Sequence, residues 1–296
     1  MKKTLLSLVG CAAFVTSAQT VTVVEHVQLM KGTEGPAYYP VLNADGTKLL
    51  YSTIMKPGLK LYDFNDNVSV RVSDAAGVGQ DAFFGGDGNV YYVTAERAED
   101  YLIYRTGHKF DLKTEKNEVV LESQHGPVVL MKAQRGAALK AQARNYTLGS
   151  QMGTAVYTDG ATLHVTVNGN DRSFSPVESC AGYLWASLSP DGKRIAFFAA
   201  GKGIVVMDLN GNVQSMLGNY EMPSWLNNDY IVAQNTKDDG HQFTSSQIML
   251  LKADGTFKHE LTKPTSMSMQ PTAAAGKVVY SSIDGMLYMM KININE

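Results

Sequence analysis

The chain has 296 residues, 28 of them acidic and 26 Lys or Arg, for a net charge of −2, and 44% of it is hydrophobic. A near-neutral balance argues against a nucleic-acid partner, which rewards a clustered positive face. A chain of this size buries a core large enough to fold without disulfide staples.

It opens MKKTLLSLVGCAAFVTSAQT. A basic start at Lys2 and Lys3, a short apolar run from Leu5 to Val15 and small residues around Ala18 read as an export signal. The run falls short of the roughly 20 apolar residues that span a bilayer. The expected cut follows Ala18, which leaves residues 19–296 as one domain, periplasmic or secreted, with no transmembrane segment. Leu8-Val9-Gly10-Cys11 resembles a lipobox, so lipoprotein processing at Cys11 is the competing route. A cut there leaves an apolar run of only about seven residues, the short end for such signals, and keeps Ala12–Val15 on the mature protein. After export Cys180 has no internal cysteine to pair with, and beside Ala181 and Gly182 it reads as a small buried hydrophobe.

Next comes TVTVVEHVQLMKGTEGPAYYP, which starts as a strand. Residues 40–66, PVLNADGTKLLYSTIMKPGLKLYDFND, then set a pattern: a turn at Asp45-Gly46, two apolar strands, and a second turn at Asn65-Asp66. Asp-Gly and Asn-Gly between short β-branched or aromatic runs are hairpin signals, because such turns need positive φ. The pattern recurs. Residues 82–114 have Asp87-Gly88, NVYYVTAER and YLIYRTGHKFDLKT; 153–170 keep the second half, with Asn168-Gly169. Residues 189–211, SPDGKRIAFFAAGKGIVVMDLNG, are the most complete copy; 223–255 and 271–295 follow. The second turns fall at 66, 114, 169, 211, 255 and 295, spaced 48, 55, 42, 44 and 40 residues apart. Four short strands in each unit of roughly 40–50 residues mark a β-propeller. The expected fold is all-β: six blades of four antiparallel strands, with the ring closed by the N-terminal strand pairing into the last blade, whose own residues supply three.

The third interval is the irregular one. Residues 123–150, rich in Ala and carrying Lys132, Arg135, Lys140 and Arg144, lack an Asp-Gly turn. They read either as a degenerate first strand with a longer loop or as a binding insertion.

The stretch LSPDGKRIAFFAAGKGIVVMDLNG resembles the repeat of TolB-like six-bladed propellers, a repeat related to WD40. Ser189-Pro190-Asp191-Gly192 has the full motif. Ala44-Asp45-Gly46, Gly86-Asp87-Gly88 and Asn227-Asn228-Asp229 keep part of it, and Pro40, Pro223 and Pro271 hold its preceding proline. The resemblance implies an exported propeller of a kind that mostly holds other proteins in the bacterial envelope, while related propellers cap peptidases or act on sugars. No TolB-type N-terminal domain precedes the repeats, so the resemblance does not extend to a role in the Tol system.

Catalytic signatures are absent. Gly149-Ser150-Gln151-Met152-Gly153 misses the register of a nucleophile elbow. His259-Glu260 lacks a second His for a zinc motif. Asp63, Asn65, Asn67 and Asp74 match calcium-loop positions, but Val68 stands where that loop needs Gly, so a plain hairpin is expected. The histidines at 26, 108, 125, 164, 241 and 259 show no metal spacing, and His164 reads as structural; no metal or cofactor is expected.

The richer constellation follows from propeller geometry, in which first strands line the axis and their starts crowd one mouth. The residues just before the Pro40 position are Tyr39, Asp81, Trp185, Met222 and Gln270; one place earlier stand Tyr38, Gln80, Leu184, Glu221 and Met269. Tyr, Trp and Met are enriched in interfaces. Trp225 fits the core register instead. The favoured expectation is a non-enzymatic scaffold that presents Tyr38, Tyr39, Gln80, Asp81, Trp185, Glu221, Met222 and Gln270 to a protein or peptide of the cell envelope. An alternative is a lyase or glycosidase with Asp81 and Glu221 as acid and base, carboxylates that would stand about 5–10 Å apart. Another is a glycan-binding module that stacks sugars on Tyr38, Tyr39 and Trp185.

Overall fold

The computed structural model describes residues 19–29, 35–54, 58–126, 128–130, 132–133, 142–143 and 154–295. The export signal, Cys11 and the Ser150 segment lie outside these residues. Six four-stranded antiparallel sheets form the six blades of a propeller. From inner to outer strand, blade 1 is Ala37–Leu42, Lys48–Thr53, Gly58–Asp63 and Val68–Ser73. Blade 2 is Phe83–Phe84, Val90–Arg97, Ile103–Asp111 and Lys116–His125. Blade 3 is Lys132–Ala133, Thr154–Thr158, Leu163–Val167 and Asn170–Phe174. Blade 4 is Tyr183–Leu188, Arg194–Ala199, Gly203–Asp208 and Val213–Gly218. Blade 5 is Glu221–Trp225, Tyr230–Asp238, Phe243–Lys252 and Lys258–Glu260. Blade 6 takes Ser268–Ala274, Lys277–Ser282 and Leu287–Asn295 from the end of the chain, and Thr20–Gln28 from its start.

That last strand pairs antiparallel with Leu287–Asn295, from Thr20 opposite Asn295 to Gln28 opposite Tyr288, with one irregularity at Val24. An ion pair between Glu25 and Lys291, 2.5 Å apart, and a 2.9 Å bond between His26 Nε2 and the Tyr280 hydroxyl fasten it. The ring thus closes between first and last elements, as the unclaimed N-terminal strand led us to expect. The irregular interval holds blade 3's two-residue inner strand and a separate ribbon of Val128–Val129 with Gln142–Ala143.

The core lies between blades, not within them. Side chains of a strand alternate in direction, so Leu49 and Tyr51 pack with Val279 and Met289 of blade 6, whereas Leu50 packs with Val90, Tyr92 and Phe110 of blade 2. Ile195, Phe197 and Met207 face Val156 and Val165 of blade 3, while Ala196 and Val206 face Trp225 and Ile231 of blade 5. Strands buried on both faces need apolar residues at successive positions, hence runs such as IAFFA and GIVVM. Close approach of two paired strands within blade 4 explains Gly203: a Cβ there would stand 1.9 Å from the Gly218 carbonyl oxygen.

Antiparallel alternation gives the disc two unlike faces. Turns from inner to second strand and from third to outer strand open on one, the turn face. Hairpins from second to third strand, and the links between blades, open on the other, the hairpin face.

Candidate functional site

The turn face is built by Asp and Asn side chains that cap their own turns. Asp45, Asp63, Asp87, Asp111, Asp191, Asp208 and Asp254 each accept a backbone N–H two residues on. These bonds replace ladder bonds that a tight turn cannot make. The Thr47 hydroxyl holds the Asp45 carboxyl below the usual carboxylate range, and Lys48 does the same for Asp63. Asp63 is therefore the ion-pair partner of Lys48, and Asp74 that of Arg71, while Tyr62 donates to Asn67. The calcium-loop pattern resolves into a hairpin. Among the described residues no three His, Cys, Asp or Glu come together in a metal-holding group.

The hairpin face is different, and its inner strands share one device. Tyr39 and Pro40 together oppose Tyr51; Trp185 and Ala186 oppose Phe197; Met222 and Pro223 oppose Ala233; Gln270 and Pro271 oppose Tyr280. Each is a bulge of two residues against one, which re-aims side chains and ends regular pairing. The first residue of each pair is left-handed, with φ of 54°, 53°, 51° and 53°. Left-handed backbone costs a Cβ-bearing residue about 1–2 kcal/mol. Proline suits the second place because a bulge leaves an N–H without a ladder partner and proline has none.

Neighbouring blades hold the strained residues. The Tyr39 N–H donates to Gln270 Oε1 at 2.9 Å, and the Gln270 N–H donates to Gln234 Oε1 at 2.7 Å. Gln234 is buried, and its amide donates to Thr236. A chain of two glutamines thus links blades 5, 6 and 1 at the mouth. Lower down, Thr272 and Ser224 hydroxyls accept the Leu42 and Ala273 N–H groups across the same junctions.

Tyr38, Tyr39 and Gln270 line one cavity of about 380 Å³, together with Met269, Ser52, Ser281, Ile54, Phe243 and Ile283. Trp185 stands in blade 4, 40% exposed, its ring centroid 5.4 Å from that of Phe198. Met222 occupies the equivalent bulge in blade 5, half-buried, with Glu221 before it. Burial pushes the Glu221 carboxyl up, Asp238 adds to this, and a hydrogen bond with Thr236 opposes it. Gln80 and Asp81 are exposed in the turn that precedes Phe83–Phe84. Asp81 does not share the bulge geometry of the other four, because blade 2's inner strand is only two residues long. Blades 2 and 5 have two blades between them in either direction, so Asp81 and Glu221 start on opposite sides of the ring. Trp225 is buried and donates through Nε1 to the Ser187 carbonyl at 3.2 Å. His164 stacks on Tyr157 and bonds Asp159 and Ser173 on the flank of blade 3. Cys180 is half-buried against the core between blades 3 and 4.

Position along the chain missed the rest of the mouth. Of the large hydrophobic residues that remain exposed among the described ones, Val23, Val24, Val27, Val68, Val119, Val213 and Met216 lie on outer strands. All the others lie on the hairpin face: Ile54, Tyr101, Leu102, Ile103, Leu184, Trp185, Phe243, Ile283 and Met286. None stands in a turn of the opposite face.

No family model and no curated protein matches the sequence. Solved structures do. The β-propeller domain of Myceliophteria thermophila Cps50 (Swd1) aligns over 93% of this chain and 100% of that one, at 9% identity and a TM-score of 0.59. An oligogalacturonate lyase solved with manganese aligns over 93% and 98%, at 12% identity and 0.50. A candidate TolB from Agrobacterium tumefaciens aligns over 88% and 91%, at 14% identity and 0.49. The likeness is one of fold. The first two comparisons show the propeller and nothing finer, and the third adds nothing to them.

Proposed function

We infer that the protein is an exported binding scaffold whose hairpin face receives a protein or peptide partner of the cell envelope. One observation carries this reading: outside the outer strands, every exposed large hydrophobic residue among the described ones stands on that face. Concentrated apolar exposure on a folded surface marks an interaction site. The four strained bulges stand at the same mouth, with Tyr39 and Trp185 among the residues they re-aim. Strain of this kind persists where surrounding structure enforces it, and it clusters at functional sites. Export rests on the MKKTLLSLVGCAAFVTSA start, and the partner class on the repeat's resemblance to TolB-like propellers.

Crosslinking in intact cells followed by affinity capture tests the reading. Wild type should retain a discrete envelope protein that a folded Tyr39→Ala/Trp185→Ala/Glu221→Ala variant loses. Equal capture by both proteins would count against this face.

A further inference from the structure

The cavity between blades 6 and 1 has a chemistry of its own. Its walls are Tyr38, Tyr39, Ile54, Phe243, Met269 and Ile283, with no charged side chain among them. At about 380 Å³ it lies at the small end of ligand sites, the scale of one large side chain with its backbone. Most of its polar groups are already engaged. Ser52 donates to the Val78 carbonyl at 2.6 Å, and Tyr38 to the Ile283 carbonyl at 3.3 Å. Gln270 is held in one orientation: its Oε1 accepts from the Tyr39 N–H at 2.9 Å and from the Ser281 hydroxyl at 3.1 Å. An oxygen fixed by two donors leaves the amide nitrogen, with two N–H groups, on the other side. That nitrogen has no protein partner among the described residues. It is a pre-aimed donor in an apolar cleft and calls for a carbonyl acceptor.

The surroundings are acidic. Asp238 sits opposite Phe243 in the blade 5 hairpin, Asp239 follows it, and Asp284 follows Ile283. Glu221 lies within electrostatic reach of Asp238. Lys237 and His241 are the basic side chains of that hairpin. Across the described second-to-third-strand turns, Glu99, Asp100, Asp159, Asp239 and Asp284 stand against Lys202 and His241. Like-charged partners are repelled from such a rim, and cationic ones are drawn to it.

We propose that this cavity is the anchor point of the mouth, taking an aromatic or branched apolar side chain from an extended, basic peptide segment whose backbone carbonyl accepts from the Gln270 amide. The proposal rests on the scaffold reading and narrows it to one pocket and one charge class. Lys or Arg flanking the anchor meet Asp238, Asp239 and Asp284.

Random dodecapeptides displayed on phage and panned against the purified chain supply the probe. Clones are sequenced, synthesised and titrated by fluorescence anisotropy at low and high salt. Four proteins are compared: wild type, Phe243→Ala, an Asp238→Asn/Asp239→Asn/Asp284→Asn triple variant, and Trp185→Ala. The altered residues line the solvent-facing mouth, and thermal melts verify that each variant folds. Enriched sequences should pair an aromatic or aliphatic residue with flanking Lys or Arg. Their affinity should fall about tenfold or more in Phe243→Ala and in the triple variant, and should weaken with salt, as charge-steered contacts do. Peptides without a basic excess that lose binding in Trp185→Ala but keep it in the other two variants overturn the pocket and leave the scaffold standing. Peptides whose binding none of the variants changes overturn both.

Discussion

Gln270 does two things with one amide: its oxygen secures the strained backbone of Tyr39, and its nitrogen is left for a guest. Glu221 marks the same mouth electrostatically. Its carboxyl is pushed up by burial, so the fold favours the protonated form. The penalty is absent below the pKa of the unfolded chain and grows as pH rises through the higher folded value. Glu221→Gln should therefore melt at a higher temperature than wild type at pH 7 and at the same temperature near pH 3. A variant that is less stable at pH 7 would show the charge to be satisfied. At this scale the sequence was informative where the bulge repeats: Tyr39, Trp185, Met222 and Gln270 stand one place before Pro40, Ala186, Pro223 and Pro271, and all four are left-handed. Asp81, at the matching place in blade 2, lies in the turn before Phe83–Phe84 and outside a bulge, because spacing alone does not show where that short strand begins.

At the scale of elements, the second-to-third-strand hairpins of blades 1, 2, 5 and 6 carry exposed apolar tips, whereas the opposite turns carry Asp, Asn and Gly. The Asp-Gly and Asn-Gly turns were visible in the sequence; the contrast between the two faces emerges only from the fold. What stayed hidden was that Ile54, Phe243 and Ile283, from blades 1, 5 and 6, share a cavity, since only ring closure brings them together. Closure itself was legible from the unclaimed strand at the N-terminus. Thr20–Gln28 completes blade 6 and covers the edge of Leu287–Asn295. Removing residues 19–29 strips that ladder together with the Glu25–Lys291 pair, and leaves a long edge open to other chains. The truncated protein should melt about 10 °C or more below wild type and associate in light scattering. An unchanged melt would mean that closure contributes little.

The whole molecule is a ring whose core lies between blades, with one face of capped polar turns and one of apolar tips inside an acidic rim. Architecture could be read from periodicity because each blade repeats the same turn chemistry. The site could not, because it is assembled from positions far apart in sequence and alike only in which face they reach. The central claim is that function resides on the hairpin face. Photo-crosslinking tests it most directly, with benzoylphenylalanine placed singly at Ile54 or Phe243 on that face and at Asp66 or Lys193 on the turn face, in cells that make the protein. Discrete adducts from the first pair and none from the second are expected. Adducts from the turn face alone, or equally from both faces, would contradict the account.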